Sequence, residues 1–115
     1  MDKVKIPSTV LIGTQVFEIS LRDSKQDGML SDSSLGYTLG TENLIVIDST
    51  LKDSKQRTTL LHEILHAIYS VFDSSVKPTK KDDFEVWEHF FIGLYEEPLL
   101  LVLRDNPDLV EYLRS

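Results

Sequence analysis

The sequence predicts an α+β fold: a small three- or four-stranded sheet packed on one histidine-bearing helix, with a second long helix and a short C-terminal helix. Three observations lead there. Short apolar stretches separated by turn-forming residues fill the first half of the chain. Residues 44–47 read Leu-Ile-Val-Ile without polar alternation, so this strand is expected to be covered on both faces. From about residue 53 onward, apolar residues recur at helical spacing.

Each element has its own signal. Residues 10–12 are apolar and residues 16–21 partly alternate, which makes the first two strands. Residues 24–34 are rich in Ser, Asp and Gly and read as a loop. Residues 36–39 and 44–47 suit a hairpin across 40–43. Asp53 or Ser54 is placed to cap a helix that runs to about Phe72. Residues 73–81, which include Pro78, form a polar connection, and Asp82 or Asp83 begins the second helix. Phe84, Trp87, Phe91 and Leu94 mark its expected core side. Pro98 has no N–H to donate, so this helix is expected to stop or kink near Glu96, with 99–103 as a further turn or two. Asn106-Pro107 reads as the N-cap and first turn of a last helix over 108–113. No repeat or linker interrupts the chain, and residues 1–115 are expected to form a single domain.

Composition excludes several functions. A net charge of −7 argues against a surface that tracks phosphates, so no nucleic-acid partner is expected. The absence of cysteine removes disulfides, thiolate zinc sites and cysteine nucleophiles, and agrees with an intracellular home. The first residues are too polar for a signal peptide, and the longest apolar run, 99–103, is far too short to cross a bilayer. No membrane partner is expected.

The helix over 58–73 carries the chemistry. Its apolar residues cover well over half the circumference, so most of it is buried. The remaining stripe holds Thr59, His62, Glu63, His66, Ser70 and Asp73. His62 and His66 stand one turn apart, where two imidazoles can reach one ion. Glu63 sits beside them, placed to take a proton from an activated water, which is the logic of the H-E-x-x-H motif. Two histidines half fill a tetrahedral Zn2+ site, so a third ligand must come from elsewhere. A third histidine at the H-E-x-x-H-x-x-G-x-x-H spacing is absent. The next helix offers Glu85, Glu88 and His89 along one edge: Glu85 is the first choice, with His89 as its supporting partner, and Glu88 the alternative. Tyr37, Tyr69 and Tyr95 are candidates to line the site or steady an oxyanion, although tyrosines more often sit at a core's edge.

His62-Glu63-Ile64-Leu65-His66, followed by an acidic helix, resembles the glutamate-ligand branch of the zincin metallopeptidases. With residues 44–47, Glu85-Val86-Trp87-Glu88, Gly93-Leu94-Tyr95 and Leu103-Arg104-Asp105-Asn106-Pro107, the pattern is similar to the short metallopeptidases encoded by phages and prophages. That resemblance covers roughly residues 36–114. It implies that His62 and His66 bind zinc, that Glu63 is the general base, and that a glutamate on the next helix completes the ligands. It also implies a peptide or protein substrate, cleaved in the cytoplasm of a bacterial host, and an extended peptide pairing with the edge of the strand over 44–48. The alternative is a catalytically inactive zincin-like binding or regulatory module in which the metal is structural.

Overall fold

Two hairpins, joined side by side through a parallel pair of strands, build the sheet. The computed structural model describes residues 3–73 and 76–115. β1 (Thr9–Ile12) and β2 (Gln15–Arg22) pair antiparallel across Gly13-Thr14. Gly13 takes φ +62°, the positive value that such a two-residue turn requires, and a side chain there would press on the Phe72 ring. β3 (Gly36–Leu39) and β4 (Leu44–Asp48) form the second hairpin, turned by a short 3-10 helix and by Asn43 at φ 50°. β4 also pairs parallel with β2, which gives a mixed four-stranded sheet in the order β1-β2-β4-β3.

The long loop between β2 and β3 is anchored rather than loose. Leu30 is buried, and Asp27 accepts hydrogen bonds from the Tyr37 hydroxyl and Arg22. Burial pushes the Tyr37 phenol upward, reinforced by its bond to Asp27, and that same bond holds the Asp27 carboxyl below the usual carboxylate range. Tyr37 pairs with Val46 and shares its sheet face, opposite the one that Ile45 and Ile47 turn to the core, and Ile45, Val46 and Ile47 are all completely buried, as the unbroken apolar run implies.

α1 (Asp53–Phe72) packs across β3 and β4 on the other face. Leu60, Ile64, Ala67 and Ile68 join Val10, Phe17, Ile19 and Ile45 in the core. The helix begins at Asp53, but no side chain caps it; Asp53 instead takes an ion pair with Lys3 at 2.7 Å. Of the connection over 73–81, Ser74 and Ser75 lie outside the described residues.

α2 (Phe84–Asp105) departs from expectation twice. Asp83 caps it through the amide of Val86, as expected. The helix does not stop near Glu96, and residues 99–103 belong to it rather than to a separate turn. A proline inside a helix costs about 3 kcal/mol, and here tertiary packing outweighs that cost. Pro98 and Val102 are buried, and the Tyr95 hydroxyl donates to the Leu65 carbonyl of α1. The second departure concerns the expected core side. Phe84 is 78% exposed and Phe91 42%. Trp87 is half-buried, stacked on Phe91 and donating from its indole to the Thr79 carbonyl. The C-terminal half of α2 is fastened to the core, with Pro98 and Val102 buried and Tyr95 and Leu99 packed against it, while the first ten residues carry no fully buried side chain among the described residues and only Trp87 and Phe90 are half-buried.

α3 (Pro107–Arg114) starts with proline at its first position, as expected. Asn106 precedes it without capping it. Its side-chain amide instead accepts from the Leu11 amide and donates to the Leu11 and Val102 carbonyls, each at 2.8 Å. No helix among the described residues is long and apolar enough to cross a membrane.

Candidate functional site

The apolar residues of α1 fix which way its polar stripe faces. With Leu60, Ile64, Ala67 and Ile68 held in the core, His62 and His66 emerge beside β3, over an open cleft. Their rings stand edge to face with centroids 4.8 Å apart, and the two Nε2 atoms lie 3.2 Å from each other. A tetrahedral ion with zinc–nitrogen distances of about 2.0–2.1 Å would hold two ligand nitrogens roughly 3.3 Å apart. The imidazole pair therefore fits one edge of a zinc coordination sphere.

Glu63 is on the same stripe but turns inward, 5% exposed. Its Oε2 lies 3.9 Å from the His62 Nε2. Its Oε1 accepts a 2.8 Å hydrogen bond from the Thr38 hydroxyl, which also lies 3.1 Å from the Glu63 carbonyl. Thr38 occupies β3, and β3 owes its place to the hairpin with β4: Thr38 pairs with Ile45, whose side chain points at α1. Gly40, at the end of β3, lies against α1 so closely that a β-carbon there would overlap the Ser70 hydroxyl. The sheet and α1 thus meet closely at Thr38 with Glu63 and at Gly40 with Ser70.

The cleft has two arms that share Gly36, His62 and Glu63. One runs along Thr38 and Gly40 to His66 and Ser70. The other, about 270 Å³, runs past Ser34, Thr58 and Thr59 to Lys55. β4 does not border it with a free edge, contrary to the expectation for residues 44–48. β4 is paired on both sides, because β3 folds back onto its outer edge, and β3 is the strand whose edge is open.

Glu85, Glu88 and His89 stand exposed on the overhanging half of α2. They are not gathered with His62 and His66. Among the described residues, no three His, Asp or Glu side chains are grouped to hold an ion. The structure brings together His62, Glu63 and His66, and it leaves Glu85 and Glu88 exposed on the first half of α2, not gathered with them. The tyrosine hydroxyls are engaged elsewhere. Tyr37 bonds Asp27 and Tyr95 bonds Leu65, while the Tyr69 ring lies 5.4 Å from the Lys77 ammonium.

Thr38 and Lys55 were not singled out by the sequence. Thr38 lies 25 residues from its partner Glu63, and nothing local marks it. Lys55 falls on the stripe of His62 and His66 at seven and eleven residues' remove, a signal present in the helical spacing. Compared with known proteins, the chain matches no family model, no curated protein and no solved structure.

Proposed function

We propose that this protein is a zinc-dependent metallopeptidase, with His62 and His66 as metal ligands and Glu63 as general base. The observation that carries the proposal is the convergence of the two Nε2 atoms at 3.2 Å over an open cleft. A bound ion would supply Lewis-acid polarisation of a peptide carbonyl and make a nearby water more acidic. The rest falls to the chain. Glu63 accepts a proton from that water as its oxygen adds to the carbonyl carbon, then delivers the proton to the amide nitrogen as the C–N bond breaks. Burial and the Thr38 hydroxyl hold this carboxylate in one orientation, which spares reorganisation during the reaction. The open edge of β3 offers backbone groups with which an extended peptide can pair across the cleft. The gathered residues supply two of the three protein ligands that a catalytic zinc takes, and Glu85 or Glu88, our choice for the third, would have to be brought to them.

The alternative, an inactive zincin-like binding module with a structural metal, calls for a closed site of four protein ligands. The open cleft beside both histidines favours the hydrolase. The test is metal analysis alongside peptide cleavage. Protein purified without added metal should carry zinc near one equivalent, Glu63→Gln should keep it and lose cleavage, and His66→Ala should lose both. Full cleavage by Glu63→Gln would overturn the base assignment, and zinc retained by a His62→Ala/His66→Ala double variant would overturn the site.

A further inference from the structure

We infer that the Lys55 arm of the cleft is a carboxylate-recognition subsite, and that the preferred substrates carry a carboxylate about three residues beyond the bond that is cut, on its C-terminal side; this inference rests on the metallopeptidase reading. Three observations carry it. First, the arm is continuous with the site, since Gly36, His62 and Glu63 line both cavities. Second, among the described residues Lys55 is the single lysine or arginine lining either arm, in a chain whose net charge is −7. Apart from Glu63, which is committed to the site, no acidic side chain lines these arms among the described residues, and the remaining polar lining is the two imidazoles and hydroxyl groups. Lys55 is exposed and joins no acidic residue in an ion pair among the described residues, unlike Lys3, Arg22 and Lys77.

Third, the spacing suits a peptide. Lys55 and His62 lie seven residues apart on α1, roughly 10 Å along the axis at about 1.5 Å per residue. An extended peptide covers that span in about three residues at roughly 3.3 Å each. The chain sense also follows. β3 runs from the Lys55 arm towards Ser70, in the same sense as the stripe on α1. A peptide added antiparallel to β3, as β4 is on its other edge, runs the opposite way and ends at Lys55. The carboxylate is either a side chain or the free end of a short peptide, and both offer the same group to the ammonium.

Fluorescein-labelled hexapeptide pools separate these cases. One pool is amidated and free of acidic residues, one is identical but ends in a free carboxylate, and one is amidated with glutamate fixed in the last three positions. Zinc-loaded full-length Glu63→Gln protein is titrated with each pool by fluorescence anisotropy, and cleavage by the native protein is followed in parallel. An exposed ion pair supports a preference of about two- to fivefold for a carboxylate pool, fading as salt rises. Lys55→Gln should erase the preference and Lys55→Glu should reverse it, whereas Lys52→Gln should leave it intact. Equal binding of all three pools, or a preference that survives Lys55→Gln, overturns the inference. Cleavage without any preference leaves the peptidase standing and removes the subsite. A Lys55-dependent binding preference without cleavage keeps the subsite and removes the hydrolase, and failure of every pool to bind removes both.

Discussion

The Thr38 hydroxyl holds the Glu63 carboxylate at 2.8 Å and lies 3.1 Å from the carbonyl of the same residue. One side chain from the sheet's edge strand therefore lies against both the backbone carbonyl and the carboxylate of Glu63 on α1. Replacing Thr38 by valine keeps the shape and removes the donor, leaving a buried carboxylate with one partner fewer. We expect a loss of about 1–3 kcal/mol in urea unfolding. Thr38→Ser should recover most of it, because serine retains the hydroxyl; equal losses for valine and serine would assign the effect to packing.

Asn106 makes a comparable cross-connection at the opposite edge of the sheet. Its amide meets both the N–H and the carbonyl of Leu11, and so occupies the open edge of β1 much as a strand would. Residue 106 is 6% exposed, so its partners have no easy access to water. Asn106→Leu should cost about 2–4 kcal/mol, since three hydrogen bonds are lost and buried backbone groups are left unpaired. A thermal scan should show the midpoint falling by roughly 10 °C. A change below about 2 °C would mean that water replaces the amide.

The two halves of α2 should respond differently to substitution. Val102 is buried to 1% exposure, and Val102→Ala should cost about 2 kcal/mol in transfer and cavity terms. Phe84→Ser, on the exposed half, should change stability by less than about 0.5 kcal/mol. Urea midpoints for the two variants measure the contrast. A large loss for Phe84→Ser would show that the overhanging stripe is covered in solution.

The Asp27 carboxyl, lowered chiefly by its hydrogen bond from Tyr37, makes stability depend on pH. A depressed carboxyl contributes stability that is fully present above its unfolded value, about 3.9, and is lost as the pH falls through the lower folded value. Asp27→Asn should therefore destabilise the protein at pH 6. The gap between native protein and variant should close as the pH is taken below about 3.9. A constant gap from pH 6 to pH 2.5 would mean that the carboxylate charge plays no part.

The sequence by itself determined most of the secondary structure and which helix carries His62, Glu63 and His66. The unbroken run over 44–47 marked β4 as a strand covered on both faces, and the apolar circumference of α1 left one stripe that holds His62, Glu63 and His66, although Glu63 turns inward from it. These are local consequences of side-chain period and burial, which residues close in sequence set for themselves. Tertiary structure alone decided that β3 rather than β4 offers the free edge, that Thr38 reaches Glu63, that Asn106 seals β1 instead of capping α3, and that α2 runs through Pro98. Each of these depends on a partner distant in sequence, whose packing outweighs the local preference. The positions of Glu85 and Glu88 follow the same rule. Their spacing along α2 was legible, but whether they approach the histidines depends on what the first ten residues of that helix pack against.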